Sequence, residues 1–182
     1  LRAKSQRLDI VRGGKAALAN AKGVSKTADS SRAFTVRASY DAENLYLAYD
    51  VTTPFDLTSE IPDPKLLFKG GNVLDIQLAA DPAADPKRKT PAPGDARLLV
   101  TMQKGKPAAV VYRPKVKGFA GEPIILTSPT GKEPFDAIEQ TDKVGLESRK
   151  TPTGFSATVT IPLALLGWSP KPGAEVRMDV GY

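Results

Sequence analysis

The chain of 182 residues has no Cys and no His. This excludes disulfides, thiolate or imidazole metal sites, His-ligated haem and any Ser-His-Asp triad. A net charge of +6 leaves nucleic acid open by sign alone, but the one dense basic patch, Pro86-Lys87-Arg88-Lys89, lies in a Pro-rich stretch without interleaved aromatics and reads as a solvated loop.

The hydrophobic fraction of 41% and charged fraction of 25% are those of a globular chain long enough to bury a real core. No apolar run approaches the roughly 20 residues of a membrane span. No signal-peptide pattern opens the chain at Leu1-Arg2-Ala3-Lys4. Its last strand runs to the final residue, as expected of a domain excised from a longer protein. One domain is expected, with 1–32 as a lead-in and 33–182 as the module.

Residues 8–11 suggest a short strand, and the Ala-rich 15–21 a helical turn bounded by glycines. Residues 25–31 are polar and read as loop. From 33 to 51 the pattern becomes clear. Phe34, Val36, Ala38 and Tyr40 alternate with Thr35, Arg37 and Ser39. After Asp41-Ala42-Glu43-Asn44, Leu45, Leu47, Tyr49 and Val51 alternate with Tyr46, Ala48 and Asp50. Period-two alternation on both sides of a tight polar turn is a β-hairpin with one buried face.

A long connection follows, with Pro54, Pro62 and Pro64. Within it, 65–69 reads as a helical turn plugging one end of the core. Residues 72–81 form the next strand, with Leu74, Ile76 and Leu78 inward. After a Pro-rich loop, 96–103 and 108–113 make a second hairpin around Lys104-Gly105. In the first of these strands Leu98, Val100 and Met102 point inward. Residues 124–126 and 135–140 suggest short strands. Residues 144–149 and 155–161 make a third hairpin.

Then Pro162-Leu163-Ala164-Leu165-Leu166-Gly167 has Pro at a helix start and Gly at a helix stop. A final strand places Val176, Met178, Val180 and Tyr182 inward. Roughly eight to eleven strands joined by hairpins, without βαβ alternation, imply an all-β antiparallel β-sandwich, jelly-roll or immunoglobulin-like, with one or two short helical turns.

Three segments together carry a resemblance. They are Tyr40-Asp41-Ala42-Glu43-Asn44-Leu45-Tyr46-Leu47, then Gly71-Asn72-Val73-Leu74-Asp75-Ile76-Gln77-Leu78, then Ile161-Pro162-Leu163 running to Gly167. In this order they resemble the family 9 carbohydrate-binding modules and their DOMON-like relatives. The chain departs from that pattern with Asn72 where the family has Asp, and with one Trp where sugar-binding members clamp a glycan between aromatics.

The resemblance implies a non-catalytic module of an exported, extracellular or periplasmic, multidomain protein. It would bind a polysaccharide or oligosaccharide and could contact other domains of its parent. Its candidate sugar contacts are Trp168 and Tyr46, as ring platforms, with Asp50, Asp75, Gln77 and Arg97 as hydrogen-bonding groups. Asp50, Asp75, Gln77, Arg97 and Asp179 fall on the polar sides of their strands, where they either line one patch or pair across an outer face. The position of Trp168 beside the Leu-Gly turn, following Leu165 and Leu166, implies instead a packing role as a core or rim anchor.

Family 9 modules can carry structural calcium, and Asp81, Asp85 and Asp95 around the Pro-rich loop are the candidate ligands. DOMON relatives ligate haem through Met; Met102 and Met178 lie on apolar strand faces, where Met is ordinarily core filler. The alternative to sugar binding is a structural or protein-interaction sandwich domain.

Overall fold

Alternation in the sequence becomes two stacked sheets in the structure. The computed structural model describes residues 19–24, 33–81, 83–85, 87–128, 131–170 and 176–182. The strand expected at 8–11, the loop at 25–31 and the chain before 19 lie outside them.

The first sheet has the order β1 (Ala19–Val24), β2 (Ala33–Tyr40), β3 (Asn44–Thr52), β11 (Gly154–Pro162) and β10 (Gly145–Thr151). The second has the order β12 (Arg177–Gly181), β4 (Leu74–Ala79), β5 (Asp95–Gln103), β6 (Lys106–Arg113) and β9 (Ala137–Thr141). A separate ribbon pairs β7 (Ile124–Ser128) with β8 (Gly131–Phe135). All these strand pairs are antiparallel. The architecture is therefore the all-β antiparallel sandwich that the alternation implies.

The inner faces meet in one core. Val36, Leu45, Leu47, Tyr49, Val159 and Ile161 come from the first sheet, and Leu74, Ile76, Leu98, Val100 and Val111 from the second. All are nearly or fully buried, and each side chain contributes about 1.5–3 kcal/mol of apolar transfer. The turn after β11 forms as expected. α1 (Leu163–Leu166) ends at Gly167, whose φ of 62° is left-handed and whose N–H reaches the carbonyl of Ala164.

Four expectations are corrected. The described residues hold twelve strands, more than the hairpin count implied. Part of the Ala-rich stretch expected as a helical turn is instead β1, paired with β2. The single strand expected at 135–140 is split at Asp136, giving the end of β8 and most of β9.

The fourth correction concerns 65–69. It forms the 3-10 helix Pro64–Lys69, with Asp63 accepting from the Lys65 N–H at 2.9 Å as its N-cap. It does not plug the end of the sandwich. It lies on the outer face of the second sheet, where Leu67 joins Leu99, Val110, Tyr112, Phe135 and Ile138 in a second buried cluster.

The segment carrying this helix is pinned to the sheet by polar contacts. The Ser59 N–H and Thr58 hydroxyl donate to the Met102 carbonyl, Gln103 donates to the Ile61 carbonyl, and the Tyr112 hydroxyl donates to the Lys65 carbonyl. Burial pushes the Tyr112 phenol up to about 12, against the opposing charge of Arg97.

One polar atom in the main core stands alone. The Tyr49 hydroxyl is buried and has no hydrogen-bond partner among the described residues, and burial drives its acidity far below that of an ordinary phenol. An orphaned buried hydroxyl costs free energy that its ring does not. Tyr49→Phe is therefore expected to raise stability by about 1 kcal/mol, read as a higher urea midpoint at unchanged slope. A loss of that size would mean the hydroxyl has a partner.

Candidate binding cleft on the second sheet

The outer face of the second sheet places polar side chains in register. Asp179 of β12 lies opposite Gln77 of β4, and Gln77 lies opposite Arg97 of β5. Neighbouring strands are about 4.8 Å apart, so these three side chains form a row roughly 10 Å long. Two residues along, on the same face, Arg177 lies opposite Ala79, and Ala79 opposite Asp95.

This row floors a cleft of about 570 Å³, within the range of ligand sites. The Pro-rich loop contributes Arg88 and Pro91 to its wall, and the β7–β8 ribbon contributes Glu133, Pro134 and Phe135. Phe135 is fixed from behind, its ring 5.5 Å from Tyr112 in the second cluster.

The floor is held rigidly. Arg97 donates to both oxygens of Asp75, at 3.0 and 3.2 Å from Nε and at 2.6 Å from Nη2. Burial works against the charge on Arg97, but the hydrogen bonds and charge of Asp75 hold its pKa above the ordinary value. A fork-to-fork pair fixes the guanidinium plane as well as its position. At the loop, Arg88 and the Ala92 N–H both donate to Asp95. The loop is thereby closed over one end of the floor.

Asp75, Gln77, Arg97 and Asp179 thus share one face, as their strand parity implied, and Asp75 and Arg97 also form the cross-strand pair that was the alternative. Asp50 does not join them. It is exposed on the outer face of the first sheet, where Arg37 reaches it at 3.4 Å. Beside it lies a smaller hollow of about 370 Å³, also lined by Glu147, Arg149 and Ser156.

Tyr46 lies on that first sheet as well, and its hydroxyl donates to Asp41 at 2.7 Å. Asp41 also accepts from the N–H groups of Glu43 and Asn44. The Glu43 N–H above all holds the Asp41 carboxyl below the usual range, and the same Tyr46 contact raises the phenol's pKa. Both residues are engaged in building the β2–β3 turn.

Trp168 is 9% exposed. Its ring packs at 5.4 Å, tilted, on Tyr40, which is the core-anchor arrangement. It also borders a hollow of about 710 Å³ between the β2–β3 turn and α1. With so little of the ring exposed, little area is left for a pyranose there. Met102 and Met178 both pack against the main core.

The predicted calcium ligands serve separate turns. Asp81 accepts from the Ala83 N–H, Asp85 from the Lys87 N–H, and Asp95 from Arg88 and Ala92. Among the described residues no group of three or more His, Cys, Asp or Glu side chains is placed to hold a metal ion. Among the described residues, too, no helix is long and apolar enough to cross a membrane.

Sequence reading missed the cleft's walls. Nothing in the local pattern of Pro91, Glu133, Pro134 or Phe135 points to a site, because they meet the floor only through tertiary packing. Comparison with family models, with curated proteins and with solved structures finds no match.

Proposed function

We propose that this is a non-catalytic binding domain that takes an oligosaccharide in the cleft on the second sheet, as part of an exported protein. The observation that supports this most is the in-register row Asp179–Gln77–Arg97 beside a Pro and Phe wall. A sugar ring offers hydroxyls around its rim and C–H faces above and below. The row supplies donors and acceptors for the rim, and Pro91, Pro134 and Phe135 supply apolar contact for a face.

The test is a glycan array with the domain, followed by calorimetry on any ligand found. Gln77→Ala is expected to weaken binding at least about tenfold, equivalent to about 1.4 kcal/mol, with the melting temperature kept. Absence of binding to every glycan would sink the reading, and an unchanged affinity in Gln77→Ala would move the site elsewhere.

A second reading has its own support. Phe119, Ile124 and Ile125 are 39%, 40% and 50% exposed around the β7–β8 ribbon. Exposed large apolar side chains on this ribbon and just before it suit a protein-interaction role.

A further inference from the structure

The β7–β8 ribbon has one guarded edge and one open edge. In an antiparallel pair, opposite residues alternate between hydrogen-bonded and non-bonded positions. Ile125 lies opposite Pro134, which has no N–H to give. This is therefore a non-bonded pair, and the backbone groups of both residues point outward. Thr127 and Lys132, two residues along, do the same. The outer edge of β8 thus presents a proline and a lysine, two of the residues that block edge pairing in natural sheets. The outer edge of β7 presents Ile125 and Thr127. Among the described residues it meets no further strand and makes no other backbone hydrogen bond.

β7, Ile-Ile-Leu-Thr-Ser, also carries no charge. The outermost strands of the two main sheets all do, with Lys22 in β1, Arg149 and Lys150 in β10, Arg177 in β12 and Glu139 in β9. Ile124 and Ile125 are exposed, and as strand neighbours they face opposite ways. An open, uncharged, apolar edge is a template for another strand.

Resting on the protein-interaction reading of this ribbon, and independently of the sugar cleft, we infer that the strand it takes is β7 of a second copy. The two strands pair antiparallel across a two-fold axis at Leu126. The edge is self-complementary in that register. Ile125 falls opposite the second copy's Thr127, and Thr127 opposite its Ile125, so both residues exchange N–H and C=O in bonded pairs. Pro123 and Pro129 stand three positions either side of Leu126 in the sequence. They fall opposite one another, where neither has an N–H to leave unpaired. Every other axis within the strand sets Ile125 or Thr127 against a proline and strands a donor. The Leu126 side chains meet across the axis on one face, the two Ile125 side chains lie diagonally on the other, and no like charges are opposed. So short a pairing buries less than roughly 1,200 Å², which makes a weak, concentration-dependent, isologous dimer.

The experiment uses the whole chain. Sedimentation equilibrium from roughly 10 to 500 µM is expected to show monomer passing to dimer. Ile125→Lys and Thr127→Pro should each weaken association at least about tenfold, with the melting temperature kept, because both act on the outward edge. Lys132→Ala, on the guarded edge, should change nothing. Because the chain has no Cys, Leu126→Cys adds a single thiol. Opposite Cα atoms in a non-bonded pair are about 4.5 Å apart, within disulfide reach. Leu126→Cys should therefore form a covalent dimer under mild oxidation. Ile124→Cys should not, since its counterpart lies four residues along, about 13 Å away.

A dimer indifferent to Ile125→Lys and Thr127→Pro, or equal cross-linking of the two Cys variants, would overturn the inference. A chain that stays monomeric overturns it too, and a synthetic peptide of residues 122–129 then separates the readings. Binding of that peptide to wild type but not to Ile125→Lys would leave the interaction reading standing without the dimer. Binding of neither peptide nor second copy would remove both and leave the sugar proposal untouched.

Discussion

Gly154→Ala is expected to destabilise the domain by about 3 kcal/mol, which for a chain of this length lowers the melting temperature by roughly 6–12 °C. Gly154 opens β11 where that strand pairs with both β3 and β10, opposite Thr52 and Thr151. A Cβ there would stand 2.0 Å from the Val51 carbonyl oxygen and 2.9 Å from the Thr53 nitrogen. Both obstacles are backbone, so no rotamer change relieves them. The chain must separate β11 from β3 at the point where the Thr53 N–H donates to the Thr153 carbonyl. The β3–β11 pair holds the centre of the first sheet, and its inner residues, Leu47 and Val159 among them, are fully buried. Gly105→Ala serves as the control. Gly105 has a φ of 76° but open space around it, so its cost is conformational alone, about 1 kcal/mol. Equal losses in the two variants, read by thermal unfolding, would refute the close-approach argument.

The contrast between readable and unreadable parts follows from where the information lies. The 33–51 hairpin was legible because its partners are sequence neighbours and its burial alternates from Val36 onward. The second cluster was not, although it left a trace. Residues 108–112 are buried without alternation, the mark of a strand covered on both faces. The run itself, Ala-Ala-Val-Val-Tyr, is apolar throughout, which fits a second layer over β6 but does not name the Pro64–Lys69 helix as the element supplying it. The β7–β8 ribbon was harder still. Pro134 lies inside β8, and a proline argues against a strand except at an edge. For the site, strand parity assigned Asp75, Gln77, Arg97 and Asp179 correctly to an outer face. Parity does not say which sheet a strand joins, and so Asp50 was grouped with residues on the far side of the sandwich. The row across β12, β4 and β5 depends on pairing β12 with β4, about a hundred positions earlier in the chain, and no local signal carries that.

Leu67→Ala is expected to cost about 3 kcal/mol of global stability, because the outer layer is a second core and not a detachable cover. Leu67 is 1% exposed and packs with Leu99, Val110, Tyr112, Phe135 and Ile138. Its truncation leaves a cavity against two central strands, and the contacts pinning the segment to Met102, Gln103 and Tyr112 oppose its collapse. Hydrogen exchange separates the alternatives. If the layer is integral, the Ser59 and Asn72 amides, bonded to the Met102 and Thr58 carbonyls, exchange with the same opening energy as the core of β5, and the whole transition shifts in Leu67→Ala. If the layer opens independently, those amides lose protection while the melting temperature stays within about 1 °C of the parent. The same variant links stability to the cleft. Phe135 walls the cleft from the front and packs on Tyr112 from behind, so loosening the cluster frees that wall. A glycan bound in the cleft should then lose affinity in Leu67→Ala although Leu67 does not line it, whereas a ligand bound on the first sheet should not respond.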